Sequence, residues 1–314
     1  MPAITTHKIF AENVLKKLQL KQSINIDKNI YFTFAQSHDL LFYYKGFKHK
    51  LYNDLGHKSH HYNTQDFIIN IISYIKRNNL TKNKECLSFL YGILTHYYLD
   101  SIAHPYIFYK TGTYKKDKKT LKYKGKHNEL ERQIDALVYE LKYKKRYNDY
   151  NFKDSLKKYK TTKELKSLIN YSYKTTYNID NIYPKINKGI KTMRIFHKLI
   201  VYDKYSLKYK LFLLIDKIFK TNLHPYSTSI KYKTDILNIK KKKWHHPVTY
   251  KESHMSFIEL MEKAESNYIK TINHIDKYFN NKSNLTILKT IIKDIDYSTG
   301  LIVKENKRMK YFEY

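Results

Sequence analysis

Apolar residues recur along most of the chain in steps of three and four, the spacing of helices that bury one face. Ile9, Phe10, Val14, Leu15 and Leu18 mark a first helix, with Thr6 placed to cap it. Ile68, Ile71, Ile72 and Ile75 mark a second over residues 67–75. The strongest apolar stretch, residues 84–109, predicts a third helix, which Pro105 should bend or end. Residues 110–126 are dense in Lys and include Gly112 and Gly125, so they read as a loop. Helical spacing resumes over 127–144, 165–173, 183–202, 208–219, 256–278 and 285–295, with Pro184, Pro225 and Pro247 in the connections. No fixed-period repeat and no long low-complexity linker divides the chain. The pattern predicts an all-α fold, a single multi-helix domain over residues 1–314.

Composition agrees with this reading. Only 7 Gly and 5 Pro in 314 residues leave little material for hairpins or Gly-rich phosphate loops, which disfavours sandwiches, barrels and dinucleotide folds. The 33 Tyr and 15 Phe are too many for a disordered chain. The net charge of +32 invites a polyanion-binding reading. That charge is nearly all Lys, however, and Arg, the bidentate phosphate reader, is scarce, so a general Lys-rich background outweighs a dedicated nucleic-acid face. The one cysteine, Cys86, excludes an internal disulfide framework and a Cys-based zinc site. No stretch reaches a membrane-span length, and the first residues lack the pattern of a secretory signal. The expectation is a soluble, cytoplasmic protein, with contact at a membrane surface left open.

The candidate chemistry lies in histidines spaced from carboxylates. His96, Asp100 and His104 stand at i, i+4 and i+8, one stripe of a helix, and His127 and Glu131 repeat the i, i+4 step. Imidazole and carboxylate at this spacing supply adjacent N and O ligands for a borderline metal such as zinc. An isolated pair of this kind is usually a surface hydrogen bond. Here the first set lies among Phe89, Leu90, Ile93, Leu94, Ile102 and Ile107, where burying such groups unpaired costs several kcal/mol and a cation removes the cost. Upstream stand His7, Asp39 beside an aromatic-aliphatic cluster, and His57, His60 and His61, a group that reads equally well as a wet loop.

The order His7, Asp39, a His near position 60, His96-x-x-x-Asp100-x-x-x-His104 and His127-x-x-x-Glu131 resembles the bacterial zinc-dependent phospholipase C family, whose fold and ligand order the fungal single-strand 3′-nucleases share. The segment Trp244-His245-His246-Pro247-Val248-Thr249, with Ser256-Phe257 beyond it, is also similar, though more weakly. The resemblance implies an all-helical domain with its metal-ligand part at residues 1–135 and a helical remainder at 136–314, binding up to three zinc ions. It assigns Asp39, His60, His96 and Asp100 to one zinc, Asp100 bridging. His104, His127 and Glu131 go to a second. His7, Asp100 and the N-terminal amine go to a third. Secreted members expose an N-terminal Trp that this chain lacks; removal of Met1 would leave Pro2 as the amine ligand.

The activity implied is hydrolysis of phosphate esters, phospholipase C-like, with a metal-activated water and Asp39 as orienting group or base. The partner implied is a phospholipid or other phosphate-ester substrate, with no obligate protein partner. Glu131, where the nucleases carry Asp, and the absence of Cys pairs favour the phospholipase branch. The short spacing to His7 and the basic charge keep nucleic acid as the alternative substrate. A third reading is a non-catalytic helical protein that zinc stabilises.

Overall fold

The computed structural model describes residues 4–21, 25–45, 50–115, 117–147, 150, 156–198, 203, 205–221, 223–224, 227, 235–305 and 307–313; Pro2, Pro225 and the end of the helix expected over 183–202 lie outside them. Twelve α-helices account for most of the described residues. They are α1 (Ile4–Lys21), α2 (Lys28–Phe34), α3 (Asp39–Phe42), α4 (Lys50–His61), α5 (Thr64–Arg77) and α6 (Lys84–Thr111), followed by α7 (Lys126–Tyr143), α8 (Lys163–Tyr177), α9 (Tyr183–Phe196), α10 (Leu207–Phe219), α11 (Phe257–Phe279) and α12 (Leu285–Ile291). Among the described residues the regular strands are two short ones, β1 (Trp244–His245) and β2 (Glu252–Ser253). They pair antiparallel, with Trp244 opposite Ser253.

Helix α6 is the axis of the fold. It is apolar almost all round, as a helix enclosed by others must be, and it packs against α1, α2, α5, α7 and α11. Each of Phe89, Leu90, Ile93 and Leu94 is buried, worth roughly 1.5–3 kcal/mol apiece. A single core cluster runs from Ile4 to Tyr297. Gly189 of α9 lies against α3 so closely that a Cβ there would stand 2.0 Å from the Leu40 carbonyl oxygen. That contact holds the backbone next to Asp39.

Several sequence expectations are corrected. Pro105 does not end the third helix, which continues to Thr111. The N–H that proline lacks would have bonded the Ser101 carbonyl. That oxygen instead faces Gly300, where a Cβ would lie 2.2 Å away. Thr6 is not the cap of α1, since Ile4 and Thr5 already lie within the helix. Its free N–H groups are taken by a carboxylate far along the chain: Asp135 of α7 accepts from Thr6 N at 2.7 Å, Thr6 Oγ1 at 2.7 Å and Thr5 N at 3.2 Å. Pro184 sits in the first turn of α9, a position proline suits, and not in a connection. The histidines at 57, 60 and 61 are in α4, not in a wet loop. Glycine being scarce, asparagine takes several left-handed turns, including Asn63 between α4 and α5 and Asn178 at the end of α8.

Candidate metal centre

Five helices bring eight candidate residues together. The stripe of α6 presents His96, Asp100 and His104, all buried. From α1, His7 reaches Asp100 Oδ1 through Nε2 at 3.0 Å and stacks on the His96 ring with centroids 4.5 Å apart. His96 Nε2 lies 3.1 Å from Asp100 Oδ2. Asp39, at the start of α3, is 3.1 Å from His60 Nε2 of α4. On α7, His127 Nε2 is 3.0 Å from Glu131 Oε1, which also lies 3.3 Å from His104 Nε2.

The donor atoms converge in three groups: His7, His96 and Asp100; Asp39, His60 and His96; and His104, His127 and Glu131. His96 is shared by the first two. Asp100 Oδ2 also lies 3.7 Å from His104 Nδ1. A cavity of about 20 Å³ lies between His7, Asp100, His104 and Glu131. Pro2, the proposed amine ligand, lies outside the described residues.

Backbone carbonyls fix which ring nitrogen carries the proton. A carbonyl only accepts, so each ring nitrogen that meets one must be the N–H. His60 Nδ1 donates to Gly56 O at 2.6 Å and His96 Nδ1 to Ala35 O at 3.1 Å. In the neutral rings both Nε2 atoms then carry lone pairs, and they face each other at 3.2 Å. His104 Nδ1 donates to Tyr297 O at 3.1 Å, so in its neutral form the Nε2 lone pair faces the Glu131 carboxylate. Lone pairs facing one another and a carboxylate, in a water-poor interior, call for a positive charge between them. These N and O donors fit zinc.

The side-chain field makes the same demand. Burial opposes a charge on His104, yet Asp100 and Glu131 push its pKa up to about 9. His7 is raised as well, burial being outweighed by Asp100. Burial would favour the neutral form of Asp100, but His104, His96 and His7 hold its carboxyl well below the usual carboxylate range. Glu131 is depressed against burial, chiefly by His127. Buried Asp39 Oδ2 has no hydrogen-bond partner.

Sequence reasoning missed the outer layer. His38 is buried beside Asp39, its Nδ1 2.8 Å from the Tyr173 hydroxyl, and burial followed by His60 and His96 keeps its pKa well below the ordinary value. Its only sequence signal was adjacency to Asp39. Residues 294–300 wrap the other side. Asp294 accepts from Thr64 N at 2.8 Å and so caps α5. Asp296 Oδ2 is 2.6 Å from His61 Nδ1, and Tyr297 N donates to His60 O at 2.9 Å. The Tyr297 ring packs on both His60 and His96. His246 Nε2 contacts Thr299 O at 2.8 Å, and Trp244 Nε1 donates to Met255 O, so the Trp244 segment serves as a buttress. A cleft of about 800 Å³ opens beside His127 and Asp296, with Phe108, Tyr62, Lys115 and Arg308 among its walls.

No curated protein and no solved structure matches the chain. The family model for zinc dependent phospholipase C matches residues 6–183, which include His7, Asp39, His60, His96, Asp100, His104, His127 and Glu131. The Trp244 segment and residues 294–300 fall beyond that span. With more than half its length matched, the chain belongs to the zinc dependent phospholipase C family.

Proposed function

We propose that the chain is a phospholipase C-type phosphodiesterase. In this reading His7, Asp39, His60, His96, Asp100, His104, His127 and Glu131 hold up to three zinc ions, with the Pro2 amine completing the third set. The facing Nε2 lone pairs of His60 and His96 are the observation that carries it. Zinc at such sites lowers the pKa of bound water and neutralises charge on phosphoryl oxygens.

The chain's own residues do the rest. Asp39 offers a buried carboxylate oxygen free of hydrogen bonds, suited to orient the attacking water and accept its proton. The water oxygen forms a bond to phosphorus, and the bond from phosphorus to the glycerol oxygen breaks. Diacylglycerol leaves after gaining a proton, and the phosphorylated headgroup remains. The carbonyls of Ala35, Gly56 and Tyr297 hold His96, His60 and His104 in one tautomer, the outer-layer role that tunes metal ligands. The cleft beside His127 has the volume for a headgroup. The continuous core from Ile4 to Tyr297 supports reading residues 1–314 as a single domain whose candidate ligands fall within 1–135.

The test is diacylglycerol release from phosphatidylcholine in detergent micelles, run beside nucleotide release from single-stranded DNA. The parent protein is expected to release diacylglycerol, and Asp39→Asn to lower the rate by about 10²–10⁴. Nucleotide release alone points to a nuclease of the related fold. Zinc bound with both substrates untouched points to a metal-stabilised protein without catalysis.

A further inference from the structure

The helix α10, which lies beyond the family span, buries none of its residues. Leu207, Leu211, Leu214 and Ile218 stand at i, i+4, i+7 and i+11, one stripe along the helix. They are 63%, 53%, 55% and 61% exposed. Four large apolar side chains aligned and facing water are not the scattered surface leucines of an ordinary protein.

The two ends of the helix are held by polar contacts to the residues that flank it. Asp216, the one acid on α10, accepts from Thr221 Oγ1 at 2.6 Å, Leu223 N at 2.7 Å and His224 N at 2.9 Å. At the other end Asp203 accepts from Tyr209 N at 2.8 Å. Lys210 and Lys217 are exposed along one flank of the stripe, at about 70–90° from its centre on a 3.6-residue turn. The outward half therefore carries leucine, isoleucine and lysine and no acid.

We propose that α10 is a docking helix that lies flat on a bilayer containing anionic lipid, its leucine stripe at the acyl boundary and its lysines at the headgroups. Charge decides between occupants. Two copies meeting through this face would bring Lys210 and Lys217 of each into one interface on chains of net charge +32, whereas an anionic surface complements them. The helix does not cross: no helix among the described residues is long and apolar enough.

Sedimentation with vesicles tests the proposal, using phosphatidylcholine alone and phosphatidylcholine mixed with phosphatidylglycerol. Binding is expected to the mixed vesicles and to weaken with salt. Leu211→Asp with Leu214→Asp is expected to lower that binding at least about tenfold while leaving zinc content and thermal midpoint unchanged. Lys210→Glu with Lys217→Glu is expected to lower it for mixed vesicles. Asp39→Asn is expected to bind as the parent does, so docking is read separately from catalysis. Unchanged vesicle binding in the leucine variant overturns the proposal. So does a parent protein that ignores mixed vesicles, or one that elutes as a dimer and becomes monomeric when the leucines are replaced.

Discussion

His104 donates its Nδ1 proton to the backbone carbonyl of Tyr297 at 3.1 Å, joining a candidate ligand in the family-matched half of the chain to a turn nearly two hundred residues away. That turn reaches α6 because position 300 carries no side chain. Its φ of +67° also lies in the left-handed region. Gly300→Val is expected to cost roughly 1–3 kcal/mol of stability through backbone strain. It should also ease zinc removal by a chelator about 10–100-fold, as lost outer contacts to metal ligands do. Melting and chelator competition on the same preparation measure both effects.

His96 belongs to two donor groups and His127 to one. His96→Ala is therefore expected to lose more zinc per chain than His127→Ala, and to melt lower, because binding of buried zinc is coupled to folding. Metal analysis of the two variants beside the parent gives the ranking. Equal losses would separate the groups from the roles given to them here.

Asp135 is buried and serves as the remote cap of α1, the helix that carries His7. Asp135→Ala leaves Thr5 and Thr6 N–H groups unpaired in the interior and is expected to cost about 1–3 kcal/mol. Asp135→Asn keeps an acceptor and should cost less. Urea unfolding of the two variants distinguishes a capping role from simple packing.

Burial pushes the Cys86 thiol up to about 12, above its ordinary 9.0. The folded state thus keeps its proton where the unfolded chain loses it. The contribution to stability is fully present below about pH 9 and is lost as pH rises from there towards 12. Subtracting the unfolding free energies of Cys86→Ala from those of the parent across this range should show the fall. Iodoacetamide at pH 8 is expected to label Cys86 only when the protein is unfolded.

The inner donors were legible because each pair on a helix repeats at four residues and the surrounding apolar run announces burial. His60 was less so. Helix α4 has few apolar positions, and Gly56 fits there by packing against the Phe42 ring, a tertiary contact that leaves no local pattern. The start of α1 was misread for a related reason, since its cap is a carboxylate from α7. The outer layer left almost no trace. Its acceptors at Ala35, Gly56 and Tyr297 are backbone oxygens, which any residue supplies, so only their placement marks them.

Zinc content is the most direct test of the centre, and plasma mass spectrometry on the purified, desalted protein measures it. Three donor groups, two of them sharing His96, predict at least two zinc ions per chain, and three where the site of His7 is filled. Metal stripping should lower the melting temperature, and returning zinc should restore it. Protein that folds and melts identically with no zinc bound would contradict the centre described here.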